Sequence, residues 1–504
     1  MQPDNHSLVF SSITHMSLFA TKPLEALLKD AGSESLKRTL GPNQLVALGI
    51  GAIIGAGLFS LTGIAASQNA GPAVVISFIV AAVGCAFAGL CYSEFATMIP
   101  VAGSAYTYAY ATMGELIAWI IGWDLVLEYA VGAATVGVSW SRYVISFLHD
   151  FGINFPAQFA SSPFEPITLP ETGEVIAGTI NLPALFIVAL ISMLLVIGIQ
   201  ESARVNSIIV VVKVTVVIIF IALGWAYINP ANHTPFIPAN TGETGAFGWT
   251  GILRGAGIVF FAFVGFDAVS TAAQEAKNPK RDMPIGIIGS LAVCTILYVL
   301  FSYVLTGIVN YTELNTAAPV AVAIDRTDYR WLRPALKFAI IAGYTSVILV
   351  MLLGQSRVFF SMSRDGLLPK LFCDIHPKFR TPWKSTILFM FATGLFAAFA
   401  PIQWLGEMTS IGTLFAFVLV CGGILIMRRT HPDLPRPFKT PWVPFVPIMG
   451  IVFNMVLMYF LGWSNWARLF GWMAVGMLIY FNYGRKHSIT HGIKSKGVPV
   501  PGRV

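Results

Sequence analysis

Of the 504 residues, 56% are hydrophobic and only 11% are charged, with a formal net charge of +7. Soluble domains carry about 25% charged residues, so a water-soluble particle of this composition would expose apolar surface and aggregate. A soluble enzyme, a disulfide-stapled secreted domain and a disordered chain are excluded, and the apolar runs of about 20 residues, without polar–apolar alternation, point to an all-α polytopic membrane protein whose surroundings are the lipid bilayer rather than to a β-barrel.

In chain order, residues 1–15 read as a dispensable extension with Met16 as an alternative start, and 23–37 as a short amphipathic helix. The first 42 residues contain no apolar core of signal-peptide length. Twelve apolar runs follow, at 43–69, 72–98, 105–133, 183–200, 206–228, 250–273, 284–309, 335–361, 384–401, 407–427, 443–462 and 466–484. The third can continue towards Phe147, which leaves 155–181 as the longest loop. With twelve spans both termini share a side. Of the 31 basic residues, 23 fall on that side and seven on the other, with Lys213 inside a span. Basic residues stay in the cytoplasm, so both termini are expected there, and a gathered basic surface for nucleic acid is not expected. The five cysteines show no CxxC spacing and six of the histidines sit in polar segments, so neither a metal site nor a cofactor is expected.

Span 1 carries four glycines in nine residues, Gly49, Gly51, Gly55 and Gly57. Each costs about 1 kcal/mol in a helix interior, so the density needs a reason. Two reasons stand: close packing through the Gly51/Gly55 pair, or a broken helix whose second half offers free N–H groups to an anion such as a carboxylate. Span 3 contains Asp124 and Glu128, one turn apart, and span 5 contains Lys213. Ionisable groups are costly in lipid and mark partners or water-filled cavities. Ion pairing or snorkelling accounts best for Arg254 and Arg357, whereas Lys213, about eight residues into its span, reads as a lysine able to release its proton in the working pH range. Span 6, Phe260-Phe261-Ala262-Phe263-Val264-Gly265-Phe266-Asp267, is Gly-interrupted as well. Two interrupted spans five apart predict an inverted repeat, spans 1–5 against spans 6–10, with the unwound points meeting near the midplane as a substrate site.

The run Gly51–Phe59, the span 6 stretch, the loop from Gln274 to Pro284 and the motif Gly354-Gln355-Ser356-Arg357 with Ser363 to Pro369 resemble the amino acid-polyamine-organocation superfamily, and within it bacterial members of the cationic amino acid transporter family. The resemblance covers about residues 16–485. It implies a LeuT-type 5+5 inverted repeat with helices 1 and 6 broken and two extra helices: a cytoplasmic segment 1–42, repeat 1 at 43–228, repeat 2 at 250–427, spans 11 and 12 at 443–484, and a tail at 485–504. It implies no enzyme but a secondary amino acid transporter in a bacterial plasma membrane. Backbone N–H groups of Ile53, Ile54, Gly55, Ala56 and Gly57 would hold a substrate carboxylate, and carbonyls of Phe261, Ala262 and Val264 its ammonium group. Phe263 would gate the site, Glu128 and Met351 would border the side-chain pocket, and Asp267 would link the broken helix to it. Lys213, faced by Ser346, matches the lysine that replaces Na⁺ in proton-coupled members, so the proton is the expected coupling ion. Small neutral or cationic L-amino acids are the expected substrates, with Met351 favouring small ones. The alternatives are an exchanger or uniporter in which Lys213 is a brace, and a non-transporting sensor on the same fold. A small single-span membrane partner is compatible with the resemblance.

Overall fold

Pro42 at the first turn, where a missing N–H costs nothing, starts α1 (Pro42–Ile53), which stops at Ile54, whose ψ of 108° leaves the helical region. The chain resumes in wide turns at Gly57–Leu61, passes through Thr62–Ala65 and Ala66–Ala70, and enters α2 (Val74–Met98). Next come α3 (Ser104–Thr112), α4 (Glu115–Asp150), α5 (Leu182–Ile197), α6 (Ala203–Gly224) and α7 (Gly248–Val259). After a second interruption come α8 (Ala268–Thr271), α9 (Pro279–Ile308), α10 (Pro319–Asp325), α11 (Arg333–Arg364), α12 (Trp383–Phe399), α13 (Ile402–Thr430), α14 (Phe445–Phe460) and α15 (Trp463–Ile479). The computed structural model describes residues 18–22, 40–99, 104–168, 175–198, 203–273, 275–316 and 318–489, so the extension 1–15 and the helix expected at 23–37 lie outside the described residues.

Seven helical stretches among the described residues are long and apolar enough to cross a bilayer, and α14 with α15, bent by 110°, makes an eighth if taken as one span. Three shorter apolar helices, α1, α5 and α12, accompany them. Phe186, Leu190, Met193 and Ile197 on α5 and Phe391 and Leu395 on α12 are all exposed, an apolar face that lipid accepts and water does not. This is a multi-pass membrane protein.

Span 3 does not begin at 105 as expected. The run divides into α3 and α4 at Gly114, whose φ of +95° only glycine adopts cheaply. A Cβ there would lie 2.5 Å from the backbone of Phe19, because residues 18–22 cross this turn and bond it from Glu115 N to Ala20 O and from Leu116 N to Leu18 O, both 3.0 Å. Lys22 then reaches Asp365 beyond the end of α11 at 3.0 Å. The long loop after α4 folds into a two-stranded antiparallel ribbon, β1 (Pro166–Thr168) with β2 (Val175–Ala177).

Helix packing divides into two groups. In one, α9 lies against α1 and α2, with α7 on α2; in the other, α11 lies against α4 and α12 against α5. One buried carboxylate is paired between elements: Glu94 of α2 receives Arg428 of α13 at 2.8 Å, Arg436 at 3.2 Å and the Thr440 N–H at 2.8 Å. Removing one partner of such a cluster leaves uncompensated charge, so Glu94→Gln is expected to destabilise the protein by about 3 kcal/mol. A lowered thermal midpoint in detergent, with wild-type insertion, would be the check.

Candidate functional site

The two interruptions meet. A Cβ on Gly57 would stand 2.2 Å from the Ala262 Cα, and one on Gly265, whose φ is +106°, would stand 3.1 Å from the Ala52 carbonyl oxygen. The helix is broken, and the close packing expected of the Gly51/Gly55 pair falls on other glycines of the span. Gly49 and Gly57 are packing glycines, against Ser290 and Ala262, while the break falls at Ile54 and Gly55, where a Cβ would make only an ordinary 3.4 Å contact with Val347. Between α7 and α8 the chain passes through a tight turn at Phe260–Phe263 and then an irregular turn from Val264 to Asp267. Ile53, Ile54, Ala56, Gly57, Phe261, Ala262, Phe263 and Val264 are all buried. Helix ends leave peptide N–H and C=O groups unpaired, so two breaks in contact concentrate such groups where water is scarce.

Some of these groups are taken up by hydroxyls from neighbouring helices. The Tyr298 hydroxyl of α9 lies 3.1 Å from the Ile53 carbonyl oxygen and 2.9 Å from that of Ala262, and its one proton can go to either. Tyr143 donates to the Phe59 carbonyl at 2.8 Å, and the Val264 N–H to the Phe261 carbonyl at 3.2 Å. The Phe263 ring packs with Phe78 and Tyr298, at centroid distances of 6.3 and 5.3 Å, so it belongs to an aromatic wall.

Lys213 on α6 is 1% exposed, with its stem against Gly343 of α11. Its ammonium group donates to the Gly51 carbonyl at 2.8 Å and the Ser346 hydroxyl at 3.3 Å. Gly51 lies in the last turn of α1, whose carbonyls form the negative end of the helix dipole, so a positive charge there completes the severed helix as a bound cation would. One side chain thus joins α1 of the first helix group to α11 of the second.

On the far side of the Asp267 turn, three carboxylates come together. Asp124 and Glu128 of α4 are each 1% exposed and Asp267 is fully buried. Glu128 and Asp267 face one another within interaction range, with Thr413 of α13 beside Glu128 and Tyr129 beside Asp267. Among the described residues none of their carboxylate oxygens makes a hydrogen bond. Met351 of α11 places its sulfur against Gly132, one turn beyond Glu128, which puts it at the rim of this cluster. One turn further on, the Gln355 amide is buried, and among the described residues both its polar atoms are unpartnered.

The structure thus brings together the span 1 and span 6 backbone, Lys213 with Ser346, and Glu128 with Asp267 and Met351. Sequence reasoning did not assign Tyr298, Tyr143, Thr413 or Gln355. A glutamine inside an apolar run was the only visible signal, since tyrosine and threonine are unremarkable in such spans.

A family model described as amino acid permease matches residues 40–482. Similar proteins include the branched-chain amino acid permease BcaP of Bacillus subtilis (strain 168), 45% identical over 94% of this chain and 98% of that protein. The methylthioribose transporter of the same organism is 42% identical over 94% of this chain and 99% of its own. Cationic amino acid transporter 4, vacuolar, of Arabidopsis thaliana is 37% identical over 81% of this chain and 66% of its own. With the match spanning both helix breaks and nearly the whole length, the chain belongs to the amino acid permease family of the amino acid-polyamine-organocation superfamily.

Proposed function

We propose that this protein is a proton-coupled secondary transporter of neutral L-amino acids, working by alternating access in a bacterial plasma membrane with both termini in the cytoplasm. The observation that carries the reading is the seating of two helix breaks on one another at Gly57 and Ala262, beside a lysine that closes the severed end of α1. In this reading the fold has twelve spans in a LeuT-type arrangement. Helices α1–α6 form the first repeat, α7–α13 the second, and α14 and α15 stand outside both. Of the N–H groups expected to receive the substrate carboxylate, that of Ile54 donates to the Ile50 carbonyl at 2.9 Å and Ile53 lies within α1, so those of Gly55, Ala56 and Gly57 would receive it, and the carbonyls of Phe261 and Val264 its ammonium group. The Ala262 carbonyl would be shared with Tyr298. Phe263, in the aromatic wall with Phe78 and Tyr298, would gate the site.

The substrate side chain would lie towards Met351, Glu128 and Asp267. Met351 shortens and lines that pocket, which favours small and branched apolar side chains; the name of the 45% identical relative fits this choice. Met351→Ser is expected to widen the pocket and expose the carboxylates, so that arginine uptake rises at least about fivefold while leucine uptake falls. Unchanged arginine uptake would remove Met351 as the size-determining residue.

Uptake of labelled leucine, alanine and arginine into sodium-free proteoliposomes, with and without an inward proton gradient, tests the whole reading. Gradient-driven accumulation supports it. Flux only against preloaded amino acid would make the protein an exchanger with Lys213 as a brace, and binding without flux would make it a sensor.

A further inference from the structure

The segment 364–384, from the end of α11 to the first turn of α12, carries five basic residues against two acids. Both acids are taken, Asp365 by Lys22 and by the Tyr106 hydroxyl at 2.8 Å, Asp374 by Lys384. Two of the other cations, Lys378 and Arg380, are exposed, and among the described residues neither pairs with a carboxylate. They stand two residues apart on one tight turn built round His376. The His376 N–H donates to the Thr381 carbonyl and the His376 carbonyl accepts the Arg380 N–H, both at 2.9 Å, while the ring Nδ1 accepts the N–H groups of Lys378 and Phe379, both at 3.2 Å. Arg380 is held there at a φ of +58°, a region that glycine enters cheaply and arginine rarely. The Thr381 hydroxyl, donating to the Val196 carbonyl at 2.7 Å, ties the turn to the end of α5. The lipid-facing strip of α5 and α12 stops at the same place: Ile197 on the last turn of α5 and Leu388 near the start of α12 are exposed, as is Ile375 within the loop. Apolar surface and unpaired positive charge therefore adjoin at this end of the helix pair.

We infer that the turn of Lys378 and Arg380 seats the headgroup of an anionic phospholipid whose acyl chains lie along the exposed strip of α5 and α12. The inference needs only the multi-pass fold. Which leaflet supplies the lipid follows from the orientation proposed above, because Asp365, at the start of the loop, pairs with Lys22 and accepts the Ile489 N–H on its backbone carbonyl at 3.2 Å, and so marks the end where the two termini gather. A guanidinium offers a two-pronged match to a phosphate, and an ammonium group adds a point charge beside it. The loop's own carboxylates would cancel that attraction, but they are turned to Lys22, Tyr106 and Lys384. A soluble phosphate would use the charge and leave the strip bare; an uncharged lipid would cover the strip and leave two cations unpaired. A diacyl lipid with one negative phosphate uses both. The attraction of a basic side chain to an anionic membrane surface fades within a Debye length, so the position of the turn at the edge of the apolar strip is what makes it effective. With Arg380 in the left-handed region and Thr381 bonded to α5, residue 380 cannot drift from that edge.

The test titrates the purified full-length chain, in neutral detergent, with dioleoyl phosphatidylglycerol and with dioleoyl phosphatidylcholine, and reads bound lipid by native mass spectrometry. The wild-type protein is expected to bind the anionic lipid at least about tenfold more tightly than the zwitterionic one. Arg380→Gly is the decisive variant, because glycine suits the backbone at that position: the thermal midpoint should hold or rise while affinity for phosphatidylglycerol falls about fivefold. Lys378→Gln combined with Arg380→Gln should bring the two lipids within about twofold of one another. Arg429→Gln, which removes an exposed charge from the end of α13, should leave both affinities within about twofold of wild type. Equal binding of the two lipids by the wild-type protein, or an unchanged phosphatidylglycerol affinity in Arg380→Gly, overturns the site. A loss as large in Arg429→Gln would mean that net charge alone attracts the lipid, which overturns it as well. Displacement of bound phosphatidylglycerol by an equal concentration of glycerol phosphate would make the turn a site for a soluble anion and overturn the lipid assignment. If the double variant fails to accumulate, Arg380→Gly decides by the same comparison.

Discussion

Lys213→Met is expected to abolish accumulation of amino acid driven by a proton gradient. In the wild-type protein each unit of inward pH gradient stores about 1.4 kcal/mol per proton, enough for tenfold accumulation at one proton per substrate. In the variant the ratio of inside to outside concentration should fall to about one, because methionine fills the space of the lysine stem but carries no proton. The geometry states what else is lost. The ammonium group holds the Gly51 carbonyl and the Ser346 hydroxyl, so its removal leaves the last turn of α1 without its cation and unties α1 from α11. Substrate binding should weaken only partly, since the N–H groups of the second half of span 1 start at the other side of the break. Lys213→Arg keeps the charge but cannot release it at any working pH, so exchange should persist in that variant while driven uptake disappears. Full driven accumulation in Lys213→Met would remove the coupling role, and loss of exchange in Lys213→Arg would count for a fit specific to lysine.

Much of this was legible in the chain because lipid makes polar and glycine residues informative. A glycine or a charge in an apolar span needs a reason, and Gly57, Asp267, Glu128 and Lys213 each stood out on that ground alone. Span ends were legible wherever a helix faces lipid along its length. They failed at the start of span 3, where α3 is rich in tyrosine and reads as membrane-spanning because its rings are buried against other rings, Tyr108 on Phe95 and Tyr106 on Tyr110. Hydropathy cannot separate burial in protein from burial in lipid. The partners of the broken helices were illegible for another reason. Tyr298, 36 residues from Ala262, and Tyr143, 84 from Phe59, are placed by helix packing alone. The packing of the Phe263 ring on Phe78 and Tyr298 was illegible for the same reason, since no local pattern fixes that rotation.

Gly57→Ala is expected to cost much for a single methyl group. The added carbon would stand 2.2 Å from the Ala262 Cα and 2.5 Å from its N, both backbone atoms that no rotamer change can move. The two breaks must separate, which costs about 1–3 kcal/mol as overpacking and spreads the peptide groups that would clasp the substrate. Leucine binding, measured by ligand-dependent thermal stabilisation of purified protein, should weaken by about 10- to 100-fold. Insertion and overall folding should survive, because α2, α4, α9 and α11 hold the two groups without this contact. Gly55→Ala supplies the contrast: it lies in the break, yet its new carbon meets only Val347 at 3.4 Å. Its effect should stay within about threefold, a substitution without strain being nearly neutral. A damaging Gly55→Ala with a tolerated Gly57→Ala would mean that the breaks do not press on one another when substrate is bound, and the clasp would have to be sought on span 1 alone.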